Sequence, residues 1–349
     1  MGIEKISVDR FIALSHNHPV LDVRSEGEFN HAHIPRATHL PLFNDEERKE
    51  VGTLYKQRSR EEAIKKGLEF FGPKMRSMVE TTEALLASRN DSSTTVLVHC
   101  WRGGMRSGGV AWLLDLYGFK VYTLAGGYKA FRNWVLNVFQ QTPRLNILGG
   151  YTGSGKTIVL EELIKRGAPV VDLEGIAGHR GSAFGNIGLP KQPSQEMFEN
   201  RLAVALTQTR LVHHDAAIWI EDESQRIGTV NIPQPFWLHM RTQAIYFLDI
   251  PFEQRVDYLV KTYGVLEKEE LAAAILRIQK RLGGLETKTA MEHLANNDIR
   301  SCFSILLHYY DKQYGKGLLN RPDPKPKIIK VNVGNVDPLH NTHELVKSV

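Results

Sequence analysis

With 349 residues, 42% of them hydrophobic and 24% charged, the chain has the composition of a soluble globular protein, and its length predicts two domains rather than one core. It holds no uninterrupted apolar run long enough to span a membrane, and Met1–Ile6 lacks the apolar core and cleavage site of a secretory signal. The net charge of +5 permits an RNA or phosphate-rich partner without requiring one; the two cysteines, Cys100 and Cys302, make no disulfide framework, so a reducing cytoplasm is the expected location.

Pro19–Arg24 reads as a short apolar strand, and Ser25–Phe29 as a helix cap with acidic residues in the first turn. His31–Ala37 is a loop, and Leu40–Leu42 enters a second extended piece. Residues 44 to 88 are mostly helical in pattern and carry Arg48, Lys49, Lys56, Arg58, Arg60, Lys65, Lys66, Lys74 and Arg76. A solvated helix face and an RNA-backbone contact are both open readings of that insert.

Val96–His99 is a buried strand, Cys100 to Arg106 a glycine-rich loop, and a helix starts near Ser107. Cys100 stands where the strand ends, so loop and helix N–H groups point at its sulfur, and Arg102 and Arg106 add positive charge. Such surroundings favour the thiolate, which is the nucleophile, and can cradle a tetrahedral anion or a charged sulfur adduct. A small buried cysteine at a strand end is the plain alternative, but the two arginines and two glycines between Arg102 and Arg106 serve no packing purpose. Lys120–Leu124 is another strand, followed by Ala125–Phe131 and a helix to about Gln141; the alternation implies a parallel sheet with helices on both faces.

Three stretches in this order, Leu21–Arg24 with Glu28–Phe29 and His33–Ala37, the Cys100 loop, and Leu124–Phe131, resemble a rhodanese domain. The resemblance implies a cysteine that carries sulfur or selenium as a persulfide or perselenide. It implies a structural role for Asp22 and Arg24 in tying the loop to the sheet. The spacing from Cys100 to Arg106 also matches the Cys-x5-Arg loop of tyrosine and dual-specificity phosphatases, so a phosphatase is an alternative, although no general-acid aspartate can be placed for it.

Pro143–Gly150 is a strand running into a P-loop, Gly150 to Thr157, with a helix behind it. Gly150, Gly153, Ser154, Gly155, Lys156 and Thr157 are the expected diphosphate-binding residues: backbone N–H groups wrap the phosphates, Lys156 reaches across them, and Thr157 is available to Mg²⁺. Val170–Gly175 and Ala216–Glu223 both read as strands ending in carboxylates, making Asp172, Glu174 and Asp222 candidate acidic groups for Mg²⁺. The second is favoured because its longer apolar run suits a central strand; helix capping is the plain role for some of these acids.

Between them lies a glycine-rich loop, Gly178–Gly188, in which His179, Arg180 and Ser182 are candidate substrate-loop residues over the P-loop, with a surface turn as the alternative. Residues 194 to 213, 252 to 262, 267 to 282, 286 to 295 and 298 to 314 read as helices and Gln243–Leu248 as a strand. Arg277, Lys280 and Arg281 share a helix face, and Lys312–Lys330 has six basic residues to one acid, a candidate RNA contact. The paired histidines (His16 and His18, His31 and His33, His213 and His214) match no zinc spacing, so no structural metal is expected, and Cys302 reads as core.

A cysteine carrier loop fused to a P-loop domain resembles one family over its whole length, the tRNA 2-selenouridine synthases. The expected fold is α/β: an N-terminal rhodanese-like parallel-sheet domain over 1–141, then a P-loop NTPase-like α/β domain with a helical C-terminal part over 142–349. The resemblance implies a transferase acting on tRNA that bears wobble 2-thiouridine. Geranyl diphosphate and selenophosphate are the implied co-substrates: 2-thiouridine is first S-geranylated, and the S-geranyl group is then replaced by selenium through a Cys100 perselenide. A nucleotide-dependent sulfurtransferase is the second alternative.

Overall fold

The computed structural model describes residues 2–89, 93–182, 184–185, 187–214, 216–322 and 327–349. The chain divides into two compact units, residues 1–138 with 199–204, and residues 139–198 with 205–349.

The first unit opens with β1 (Glu4–Ile6), α1 (Val8–Leu14), β2 (Val20–Asp22), α2 (Glu26–His31) and β3 (Thr38–His39). The insert forms α3 (Asp45–Gln57), α4 (Arg60–Phe71) and α5 (Met75–Ala87), and β4 (Thr95–His99), α6 (Met105–Tyr117), β5 (Lys120–Leu124) and α7 (Gly127–Val138) complete the unit. The five strands pair in the order β1-β5-β4-β2-β3, all parallel, so β4 is central and Cys100 leaves its carboxyl end. Val96, Leu97 and Val98 are fully buried, as a two-sided central strand requires.

α2 forms as its residues dictate: Ser25 and Glu28 make a capping box. Beneath the sheet end, Asp22 accepts from the Arg24 guanidinium at 2.6 and 2.9 Å, Arg24 also donates to the Ala32 carbonyl at 2.8 Å, and its plane lies 3.8 Å from the Tyr128 ring centre. Both charges are buried, so removing either partner alone should cost about 3–5 kcal/mol. Much of the basic charge on the insert is paired with its own acids: Lys65 with Glu62, Lys66 with Glu50 and Glu69, Lys74 with Glu47, and Arg76 with Glu80. The solvated-face reading accounts for those four side chains.

The second unit runs β6 (Leu145–Gly150), α8 (Lys156–Lys165), α9 (Leu173–Ala177), α10 (Gln195–Val212, except its residues 199–204, which belong to the first unit), β7 (Ile218–Glu221), a hairpin of β8 (Arg226–Ile227) and β9 (Val230–Asn231), α11 (Gln234–Met240) and β10 (Ile245–Asp249). Four helices follow, α12 (Phe252–Tyr263), α13 (Lys268–Leu282), α14 (Gly284–Ala295) and α15 (Ile299–Leu319), then β11 (Ile328–Asn332) and α16 (Pro338–Lys347). The main sheet is parallel in the order β11-β10-β6-β7.

Two expectations are corrected here. Val170–Gly175 is not a strand: Val170 makes one isolated bridge to Trp219, and Asp172 caps α9 by accepting from the Gly175 N–H at 2.8 Å. β7 ends the four-stranded order instead of lying at its centre; its apolar run is buried because α8 covers it and Val170 bridges its outer side. Cys302 is core, 3% exposed within α15. Of the basic tail, α15 takes Lys312 and Lys316 and β11 takes Lys330, Arg321 is buried, and Lys325 lies outside the described residues. Among the described residues no helix is long and apolar enough to cross a membrane, and no three His, Cys, Asp or Glu gather to hold a metal ion.

Candidate functional sites

The Cys100 loop is shaped by close backbone approach. Gly103 and Gly127 take φ of +62° and +61°, and a Cβ on Gly127 would strike the Cys100 carbonyl oxygen and the Gly103 nitrogen. The N–H groups of Tyr128 and Lys129 donate to the carbonyls of Cys100 and Trp101 at 2.8 and 2.9 Å, so the Gly126-Gly127 turn buttresses the loop from behind. Cys100 is 3% exposed, and the Ser107 hydroxyl lies 3.3 Å from its sulfur.

Burial alone would raise the Cys100 thiol. The Ser107 hydroxyl, the backbone N–H groups of Ser107 and Gly104, and the Arg106 charge outweigh it and bring the thiol below its ordinary value. The helix begins at Met105, two residues before its expected start, which puts Gly104 at its N-cap and Ser107 in its first turn. Ser107 is the contributor that sequence reading left without a role. Arg106 is shared: its guanidinium donates to Glu28 of α2 at 2.8 Å, and Arg48 stands 3.7 Å from the same carboxylate. Arg102 is exposed at the loop surface beside Trp101.

The P-loop sits between β6 and α8. Lys156 donates to the Gly150 carbonyl at 3.1 Å, and Ser154 is buried, with a hydroxyl that has no hydrogen-bond partner among the described residues. The helical part braces this loop. Arg255 of α12 donates to the Thr152 carbonyl at 3.1 Å and makes a two-pronged pair with Asp311 of α15 at 2.9 and 2.7 Å. Tyr314 of α15 accepts from the Gly150 N–H at 3.3 Å and donates to Asp222 at 2.7 Å, and Arg321 pairs with the other oxygen of Asp222. Nothing in the local sequence near Gly150 announces Arg255 or Tyr314; they arrive from helices more than a hundred residues away.

A cavity of about 440 Å³ opens on the P-loop. Thr152–Thr157, Glu174, Asp222, Glu223, Arg180 and Ser182 form its polar side. Leucines and aromatic residues of α12 and α15, with Phe184, also line it, together with Thr262, Gln313, Arg241 and Arg321. Of the candidate acids, Glu174 meets the P-loop directly, with Thr157 Oγ1 donating to it at 3.2 Å, whereas Asp222 is held by Tyr314 and Arg321 and Asp172 by its capping role. Burial raises the Glu174 carboxyl, and raises Glu223 beside it well above the ordinary range.

Of the loop residues, Arg180 and Ser182 face the cavity, while His179 is buried against Gly185 and against Gly228 of the hairpin turn. Burial lowers the His179 pKa, with Arg277 adding to the effect. Ala183 and Asn186 of this loop lie outside the described residues.

Comparison with known proteins agrees with both halves. Residues 7–133 match the rhodanese-like domain family, and residues 143–330 match the AAA domain of tRNA 2-selenouridine synthase. A tRNA 2-selenouridine synthase of Shewanella frigidimarina is 36% identical over 81% of this chain and 80% of its own length. The corresponding proteins of Bdellovibrio bacteriovorus (32% identical, 90% of this chain, 93% of its own) and Hydrogenovibrio crunogenus (37%, 77% and 77%) are similar over comparable spans. With both domain families matched in order and relatives this similar over most of their length, the chain belongs to the tRNA 2-selenouridine synthase family.

Proposed function

We propose that this chain is a tRNA-modifying transferase that S-geranylates wobble 2-thiouridine with geranyl diphosphate and then replaces the S-geranyl group by selenium from selenophosphate. One observation carries the donor assignment: a single cavity is lined both by the P-loop and by leucine and aromatic side chains. A prenyl diphosphate uses both surfaces, the P-loop for its phosphates and the apolar side chains for its hydrocarbon chain.

In the first step the thiouridine sulfur bonds to C1 of the geranyl group, the C1–O bond breaks, diphosphate leaves, and the base loses its N3 proton. Lys156 and the P-loop N–H groups stabilise charge on the departing diphosphate. Thr157 Oγ1 and Glu174, 3.2 Å apart in the cavity wall, are oxygen donors of the kind Mg²⁺ takes, and the ion would add charge stabilisation there.

In the second step selenium replaces sulfur at C2 and geranylthiol leaves. Cys100, favoured as thiolate, is the selenium carrier, with Arg102 and Arg106 as candidate holders of the anion. The P–Se bond of selenophosphate breaks and phosphate leaves; the selenide displaces a small thiol from its mixed disulfide with Cys100 to form the S–Se bond, the outer selenium then attacks C2 as geranylthiol leaves, and the small thiol attacks the Cys100 sulfur, breaking the Se–S bond and restoring the mixed disulfide. The wobble base must be splayed out to react, which suits a family that works on a single-stranded loop.

Nucleoside mass spectrometry tests this on 2-thiouridine-bearing tRNA incubated with the protein and geranyl diphosphate, with and without selenophosphate. The expected products are geranylated 2-thiouridine without selenophosphate and 2-selenouridine with it. Unchanged 2-thiouridine in both, with phosphatase or nucleotide turnover instead, would sink the proposal.

A further inference from the structure

α15 lines the cavity along one face. Phe303, Leu307, Tyr310 and Tyr314 border it at steps of four, three and four residues that keep them on one side of the helix, with Leu306 beside Leu307. Tyr314 marks the phosphate end, since its hydroxyl meets the Gly150 N–H of the P-loop. Phe303 lies eleven residues earlier, about 16 Å away along the helix axis at 1.5 Å per residue. Leu306, Leu307 and Tyr310 occupy the interval, with Gln313 next to Tyr314.

At the far end three rings from three separate elements meet: Phe303, Tyr263 of α12, and Phe184 of the glycine-rich loop. Phe184 and Phe303 have ring centres 6.0 Å apart, Phe184 and Tyr263 6.2 Å, and Tyr263 and Phe303 6.4 Å, all within the range of aromatic pairs. All three border the cavity, and Phe184 and Phe303 are 5% and 3% exposed. The Arg180 charge opposes the rise that burial imposes on the Tyr263 hydroxyl, and both side chains border the cavity. Rings buried this way in a packed core have little room to swing aside.

We propose that Phe303, with Phe184 and Tyr263, closes the hydrocarbon end of the donor site and sets the longest prenyl chain the enzyme accepts. The inference rests on the reading of this cavity as a prenyl diphosphate site. A donor tethered by its diphosphate at the P-loop and laid along the leucine-lined face of α15 extends toward these rings. Each added isoprene unit brings its tail closer to the rings, and an overlong chain must displace them. The wall touches neither the breaking C–O bond nor the forming S–C bond, so it acts on which donor fits and leaves the chemistry of transfer alone.

The test is competition among dimethylallyl, geranyl and farnesyl diphosphates on thiouridine-bearing tRNA, read by nucleoside mass spectrometry. Phe303→Leu should shift the C15-to-C10 ratio of kcat/KM up by about tenfold. Leu307→Phe, which adds a ring nearer the P-loop, should lower C10 transfer and shift the C5-to-C10 ratio up by a similar factor; it decides the question alone if Phe303→Leu does not fold. Wild-type geranylation with donor ratios unchanged in the folded variants would overturn the wall and leave the proposed function standing. A raised KM for tRNA at unchanged donor ratios would assign the rings to the nucleobase and overturn it equally. Wild-type protein that transfers none of the three prenyl groups would overturn both.

Discussion

The surroundings of Cys100 and of Lys156 solve different problems with the same device, a glycine loop between a parallel strand and a helix. Around Cys100 the loop is folded tightly on one sulfur atom, and its partners are backbone groups and the short side chain of Ser107. Around Lys156 the loop borders a cavity of about 440 Å³ whose far wall comes from distant helices. A compact cradle tunes a single atom; an open one places a large donor. That contrast underlies the proposed division of labour, selenium handling at the first and prenyl transfer at the second.

The largest way to break the contrast is Lys156→Ala. Loss of its charge on the departing diphosphate should cut geranylation by about 10²–10³-fold, while selenium incorporation into tRNA supplied already geranylated should stay near wild type. Equal loss in both half-reactions would erase the distinction.

Gly127→Ala comes next. Its Cβ meets the Cys100 carbonyl oxygen at a φ of +61°, so the loop must shift, with a cost of about 2 kcal/mol in stability and loss of selenium transfer. Denaturant unfolding and the selenation assay check the two parts.

Ser107→Ala sharpens the picture of the cradle. Without its hydroxyl the Cys100 thiol should titrate higher, and selenation near neutral pH should fall about tenfold. Alkylation rate against pH reads the thiol directly; an unmoved profile would leave the backbone N–H groups and Arg106 as sufficient.

The smallest effect concerns Glu221, which is 2% exposed and whose carboxyl burial holds well above the ordinary range. The folded chain therefore keeps a proton that the unfolded chain releases above about pH 4.3, and stability falls as pH rises past that point toward the raised folded value. Glu221→Gln keeps an oxygen to accept from the Glu174 N–H and has no proton to lose. Its Tm should exceed wild type by about 3 °C near pH 8 and converge with it below about pH 4; an equal difference at both pH values would contradict the buried-carboxyl assignment.

The local motifs were legible from sequence because each is made by neighbours in the chain. The Cys100 loop, the P-loop and the Ser25 capping box need only a few consecutive residues to define them. The two strand misreadings share a cause, since apolar runs record burial and not neighbours in a sheet: Val170–Gly175 is covered without pairing regularly, and β7 ends the four-stranded order with its apolar residues still buried. The cavity was not legible. Phe184, Tyr263 and Phe303 are separated by 79 and 40 residues, so no local pattern joins them, and Arg255 and Tyr314 acquire their meaning only where α12 and α15 reach the P-loop.

The division of labour is tested most directly by nucleoside mass spectrometry of 2-thiouridine-bearing tRNA treated with Cys100→Ser, geranyl diphosphate and selenophosphate together. The expected result is geranylated 2-thiouridine that accumulates and is not converted to 2-selenouridine. Loss of both products from folded protein would show that Cys100 is needed for prenyl transfer as well and would contradict the division; 2-selenouridine formed at the wild-type rate would remove Cys100 from the selenium step.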